Sequence, residues 1–162
     1  MAGSLDKYHF IPATAEHAQL HNMAFDDFSI CGITAVKEGK IAAVCTLSEW
    51  TESSCSIHMV VLDQWVFKNG YLEEVFNFIF CESGRSVVIA TVRSDNAQLK
   101  RFVNKVGFKR VGVIPDGYKV GVDYEINVML KKHCRYITNG IPYSRSTERT
   151  GLRSASSSTG RG

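Results

Sequence analysis

The sequence predicts a mixed α+β domain: a mostly antiparallel sheet, one central parallel strand pair, and helices on both faces. Three observations predict it. Three largely apolar segments joined by short polar turns run from Ser29 to Asp63, as in an antiparallel meander. The period then lengthens to three and four residues over Tyr71–Glu82. A nearly all-apolar segment, Ser86–Val92, follows between two helical stretches, which requires a strand-helix-strand crossover.

The elements follow in order. Thr14 to Phe25 carries Ala18, Leu20, Met23 and Ala24 at helical spacing, with Thr14 as N-cap. Ser29–Val36 and Ile41–Trp50 form a hairpin about Lys37-Glu38-Gly39-Lys40, where Gly39 supplies a positive φ. After the polar turn Thr51–Ser54, Cys55–Asp63 is a third strand. It sets Ile57, Met59 and Val61 on one face and His58, Val60 and Leu62 on the other. Leu72, Val75, Phe76, Ile79 and Phe80 form the stripe of the next helix, which Gly84 ends. Asp95 or Asn96 caps a further helix with Leu99, Phe102, Val103 and Val106 on its buried side, and Gly107 stops it. Phe108–Ile114, a turn at Pro115-Asp116-Gly117, and a long strand Tyr118–Leu130 complete the body.

Composition sets bounds. The chain has 162 residues, 44% hydrophobic and 22% charged, as in an ordinary globular domain. Its net charge of +3 is unevenly placed. From Thr138 to Gly162 there are Arg145, Arg149, Arg153 and Arg161 against Glu148 alone, so the body 1–137 is balanced. The segment 138–162 is Ser-, Gly- and Arg-rich and reads as a basic tail, flexible unless a partner assembly holds it. A neutral body argues against nucleic-acid binding, and four arginines with only Tyr143 among them give a nonspecific, salt-sensitive attraction. No apolar run reaches the length of a membrane span, and MAGSLDKYHF lacks an apolar signal core, so a cytoplasmic location is expected. Cys31, Cys45, Cys55, Cys81 and Cys134 are odd in number and contain no CxxC pair, so free buried thiols are expected and no metal site. Cys55 and Cys81 have no cationic neighbour in sequence to activate them. No Ser-His-Asp order and no complete phosphate loop is present.

The segment VVIATVRSDNAQLKRFVNKVGFKRVGVIPDG resembles the GNAT superfamily of acyl-CoA-dependent N-acetyltransferases. It shows the strand, the Asn, the short amphipathic helix and the Gly-Phe start of the next strand, with Asn96 eleven residues before Gly107-Phe108. The closing KRVGVIPDGYKVGVDYEINVML is similar to the family's last hairpin, and the likeness covers Tyr8 to Lys131. Short bacteriophage-encoded GNAT-like proteins are similar in carrying a bulky stretch like QWVFKNGYLEEVF where cellular enzymes have glycines.

The resemblance implies acetyl-CoA as acyl donor and an amine as acceptor. It implies that the central parallel strands splay apart and that the unpaired backbone of Met59, Val60 and Val61 meets the pantetheine arm. It places the pyrophosphate at Phe67-Lys68-Asn69-Gly70-Tyr71, at a helix start where the dipole favours an anion, and Asn96 beside the pantetheine, its other reading being a plain N-cap. This loop departs from the family's Gln/Arg-x-x-Gly-x-Gly/Ala: it holds one glycine, and Trp65 and Phe67 are expected to fill part of the groove. The position of the family's usual general-acid Tyr, seven residues after the Asn, is Val103, which donates no proton, so the thiolate would leave unassisted or through water. Glu49 and His58 are the candidate bases, Glu49 ending a strand on the acceptor side and His58 offering an imidazole suited to neutral pH; Asp123 reads as a solvated face residue. Two functions follow: an N-acetyltransferase, or a catalytically degenerate protein of the same fold, structural or accessory in a bacteriophage particle and anchored by its tail.

Overall fold

The computed structural model describes residues 7–20, 23 and 31–137. The expected helix end at Phe25, the strand start at Ser29 and the tail 138–162 lie outside the described residues. A seven-stranded sheet runs in the order β1-β2-β3-β4-β5-β7-β6. Its strands are β1 (His9–Pro12), β2 (Cys31–Lys37), β3 (Lys40–Ser48), β4 (Ser54–Val61), β5 (Val87–Arg93), β6 (Lys109–Lys119) and β7 (Val122–Leu130). Every neighbouring pair is antiparallel except β4–β5. The sequence reading missed β1, four residues with no clean alternation, held by pairing His9–Pro12 against Val36–Ile33 at the sheet edge.

The β2–β3 hairpin closes as expected. Lys37 pairs with Lys40, and both central residues, Glu38 (φ 51°) and Gly39 (φ 73°), take the left-handed conformation that a tight two-residue turn needs. The reversal between β6 and β7 does not lie at Pro115-Asp116-Gly117. Those residues stay in β6 as an irregularity between Ile114 and Lys119, and the chain turns at Val120-Gly121. Asp116 (φ 52°) directs this: its N–H donates to Asp123 Oδ1 at 2.8 Å, and its Oδ1 accepts from Gly121 N–H at 2.7 Å. An edge strand tolerates Pro115 because one side of it has no ladder to serve.

The helices α1 (Ala15–Leu20), α2 (Tyr71–Asn77) and α3 (Ala97–Val106) occupy both faces of the sheet. Val75, Phe76, Ile79 and Phe80 pack with Val103 and Val106 onto Ile33, Ala35, Cys45, Val88, Ala90 and Met129. Val44, which alternates with Ala43 and Cys45, instead meets Ala13, Ala18 and Met23 on the α1 face. The helix predicted over Tyr71–Glu82 is α only to Asn77 and continues as a π-turn, Phe78–Glu82. Phe78, Ile79 and Phe80 are all buried, which the wider turn permits. Helix α3 matches its pattern: Asn96 Oδ1 accepts from Leu99 N–H at 3.0 Å, and Gly107 (φ 117°) is the left-handed C-cap. Glu125 on β7 is buried and bridges Lys100 of α3 (3.2 Å) and Arg110 of β6 (3.0 Å).

Candidate functional site

The β4–β5 pairing is short. Ser54, Cys55 and Ser56 pair with Val87, Val88 and Ile89, and there the ladder stops. Both strands run on, β4 to Val61 and β5 to Arg93, without a β4–β5 rung. This is not fraying, because the outer partners stay in register. β3 remains paired to β4 as far as Ala43↔Val61, and β7 to β5 as far as Tyr124↔Arg93. The sheet therefore carries an internal fork with two supported walls, closed at Ser56 and open toward the C-terminal ends of both strands.

Glu49 stands at the closed end. It follows β3 in a left-handed conformation (φ 49°), and its Oε2 accepts from Ser56 Oγ at 2.6 Å. Ser56 is buried and is the last residue of β4 paired to β5, so the carboxylate is tied to the point where the two strands part. A non-glycine residue in this conformation is uncommon and stores a little strain, which such a bond can hold in place. His58 lies two residues along β4 on the same face as Ser56, half-buried, opposite Thr46. Thr46 Oγ1 is buried and has no hydrogen-bond partner. Glu49 and His58 are thus brought to one face of one fork. Ser56, which links Glu49 to it, was missed. Its signal was available: Ser54, Ser56 and His58 are the polar half of an otherwise apolar strand.

Met59 and Val61 send their side chains to the α2–α3 core, and Val60 packs toward α1. Met59 and Val61 turn their backbone N–H and C=O toward the fork, whereas the expected Val60 spends its own on Val44 of β3, since Leu62 N–H donating to Ala42 O makes Val60 and Val44 a hydrogen-bonded pair. Beyond β4, the 3-10 helix Gln64–Asn69 begins on Asp63, whose Oδ1 accepts from Trp65 N–H at 3.0 Å. Tyr8 Oη donates to Asp63 Oδ2. Tyr8 chiefly, and the Trp65 N–H next, hold the Asp63 carboxyl below the usual carboxylate range. Asn69 Nδ2 donates to Trp65 O at 2.8 Å. Phe67 turns inward, with its ring 5.2 Å from that of Phe102 on α3. Trp65 does not fill the groove as expected. It is 61% exposed, with Lys68 Nζ 4.5 Å from its ring centroid. Its backbone is fixed at both ends, and the core nearby is already filled by Val66.

Gly70 (φ 85°) joins the 3-10 helix to α2 and carries no side-chain cap bond. The Tyr71 side chain is buried, its Oη donating to Ile33 O at 2.6 Å, and burial pushes its phenol well above the ordinary value. Only its backbone is left for a ligand. Glu73 and Glu74 stand in the first turn of α2 and supply the negative charge that the helix start favours. The sequence reading overlooked them, although they follow Gly70 by three and four residues. Asn96 Oδ1 is spent on the α3 cap, and Val103 is buried in the core. Asp123 is not simply solvated: its Oδ1 holds Asp116 and its N–H donates to Ser94 Oγ at 3.0 Å.

The thiols offer no nucleophile at this site. Burial pushes Cys55 up to about 12, with Arg85 pulling the other way, and pushes Cys45 up further. Among the described residues no three His, Cys, Asp or Glu side chains gather as a metal site would require. No helix among them is long and apolar enough to cross a membrane.

No family model matches the chain, and no curated protein matches it. Solved structures do. The spermidine/spermine N-acetyltransferase SpeG from Vibrio cholerae, solved in mutant forms, is similar with a TM-score of 0.64 at 10% identity, over 78% of this chain and 96% of that one. A GNAT-family protein from Desulfovibrio desulfuricans, described as an acetyltransferase, gives 0.57 at 15% identity, over 76% and 98%. YncA from Salmonella typhimurium, solved with its cofactor acetyl-CoA, gives 0.52 at 14% identity, over 77% and 94%. The chain has the fold of the GNAT acetyltransferases.

Proposed function

We propose that the chain is an N-acetyltransferase that takes the acetyl group of acetyl-CoA to an amine. The observation that carries this reading is the fork, where the β4–β5 ladder ends at Ser56↔Ile89 while both outer ladders continue. Strand-edge amides without a strand partner suit the amide-rich pantetheine arm, because both need hydrogen bonds away from water. Acetyl-CoA, when bound, supplies an acetyl group activated as a thioester. The backbone of Met59 and Val61 holds the arm. Glu49, anchored by Ser56, accepts the proton of the attacking amine, with His58 as the second candidate. A carboxylate at this point also favours a cationic acceptor, and the spermidine and spermine in the name of the SpeG neighbour make a small polyamine the first class to try. Val103, in the core, has no proton to give the leaving thiolate, and water serves instead.

The phosphate end fits less closely than the arm. Asn69, Gly70 and the Tyr71 N–H can offer backbone, and Lys68 offers charge, but Glu73 and Glu74 oppose a pyrophosphate at the start of α2. Those two carboxylates and Val103 favour a second reading, a protein that keeps the fold without the chemistry, structural or accessory in a bacteriophage particle and anchored through 138–162.

Thermal unfolding with acetyl-CoA separates the two readings. The melting temperature rises with ligand concentration if the fork is a site, since a ligand bound only to the native state stabilises it by mass action. No shift at millimolar acetyl-CoA, which also leaves every amine unacetylated, overturns the transferase reading.

A further inference from the structure

We propose that Trp65 and Lys68 form the platform for the adenosine 3′-phosphate end of coenzyme A, the indole stacking on adenine and the ammonium pairing with the ribose phosphate. This rests on the reading of the fork as a coenzyme A slot.

Four observations lead to it. Trp65 is 61% exposed, although the other apolar side chains of its 3-10 helix turn inward: Val66 is fully buried and Phe67 half-buried. An exposed indole contributes little to the core, and aromatic rings so placed are favoured where one face meets a planar partner. The backbone that carries the ring is also held in place. Asp63 Oδ1 accepts from the Trp65 backbone N–H, Asn69 Nδ2 donates to the Trp65 backbone carbonyl, and Tyr8 secures Asp63 in turn. A ring on a fixed backbone loses little freedom on binding.

Lys68 Nζ lies over one face of the indole at 4.5 Å from the centroid. The ring's exposure leaves the other face for a base, and the ammonium is already gathered beside it. The position is right as well. The 3-10 helix starts directly after β4, and its Phe67 packs on Phe102 of α3, the helix that follows β5. It therefore spans the open end of the fork, where an arm lying between the strands emerges. Charge points the same way. Lys68 is the only lysine or arginine from Ile57 to Asn77, against Asp63, Glu73 and Glu74. Asp63 already accepts from Tyr8 and Trp65, and Glu73 and Glu74 sit in the first turn of α2. Lys37 lies over the Tyr8 ring and acts on Asp63, so the cation beside the indole for a phosphate to meet is Lys68.

The test uses the full chain with Trp50→Phe, which leaves Trp65 as the one indole of two in the sequence. Trp65 emission is followed during titration with coenzyme A, dephospho-coenzyme A and pantetheine, with calorimetry for the affinities. Coenzyme A quenches the emission, dephospho-coenzyme A binds several-fold more weakly, and pantetheine binds without quenching. Trp65→Ala weakens coenzyme A by about tenfold, the size of one lost base-aromatic stack, and leaves pantetheine unchanged. Lys68→Gln makes coenzyme A and dephospho-coenzyme A bind alike. Wild-type affinity for coenzyme A in Trp65→Ala, or equal affinities for the two coenzymes in the parent, overturns the platform and leaves the fork reading standing. If neither coenzyme A nor pantetheine binds, the platform and the fork reading fall together.

Discussion

The two ends of the β4–β5 pair are built in opposite ways. At the closed end Cys55 and Val88 have no solvent exposure, Ser56 is buried, and Ser53 O accepts from both Ser86 N–H (2.8 Å) and Val87 N–H (3.1 Å). Lys131 N–H closes the same corner by donating to Ser86 O at 2.9 Å. At the open end there are no rungs, and one aromatic contact, Phe67 on Phe102, bridges the walls. A sheet opened along one seam keeps its shape if the seam is welded at one end and both flanking ladders are intact. The weld fixes where the Glu49 carboxylate stands. The open end leaves strand edges without a β4–β5 rung while both flanking ladders stay intact.

That contrast is tested first by stability. Val88→Asp places a carboxylate without a partner in the closed corner and costs about 3–5 kcal/mol, the range for buried charges left unpaired. Phe67→Ala at the open end loses a ring pair and the burial of a half-buried side chain and costs about 2 kcal/mol. Urea unfolding of both variants measures this, and equal losses at the two ends would remove the distinction. Chemistry sharpens it next. Glu49→Gln lowers kcat about hundredfold, at the lower end of what a general base contributes. Ser56→Ala, which only frees the carboxylate from its tether, lowers it about tenfold, the size expected when orientation is lost and proton acceptance is kept. Neither changes acetyl-CoA affinity measured by calorimetry, because both stand at the closed end. A hundredfold loss in His58→Gln with Glu49→Gln unaffected would move the base to His58.

The same contrast marks what the sequence discloses. The welded part is made of regular elements, and their periods are legible: the Leu99, Phe102, Val103 and Val106 stripe with its Asn96 and Gly107 caps, the apolar Val87–Val92 run, the Glu38-Gly39 turn. Each is fixed by contacts within a few residues. The open end is not. Which way Trp65 and Phe67 turn depends on Tyr8, 55 residues from its partner Asp63, and on Phe102 across the fork. A linear reading expected both rings in the groove, and the structure takes one in and puts the other out. The length of the β4–β5 ladder is likewise set by pairing across the sheet and not by either strand's own pattern. The Glu49–Ser56 bond is made from a left-handed backbone at 49, a conformation that the residue type there does not predict.

Acidification probes the Asp63 corner of the open end through Trp65. Tyr8 first, then the Trp65 N–H, hold the Asp63 carboxyl below the ordinary 3.8, outweighing the smaller opposing effect of burial. For an acid whose folded pKa is depressed, the stabilising contribution is complete above the ordinary value and is lost as pH falls through the lowered one. Protonating Asp63 removes the charged acceptor that starts the 3-10 helix, so the Trp65 segment loosens first. In a Trp50→Phe chain, Trp65 emission is expected to change as pH falls below 3.8, while the far-UV signal of the sheet stays constant over the first part of that change. Tyr8→Phe removes the larger cause and moves the transition up toward 3.8. Asp63→Asn abolishes it, since an amide has no proton to gain in this range. An unchanged emission transition in Asp63→Asn would mean that the indole is held by something other than this carboxylate, and that the open end is as tightly built as the closed one.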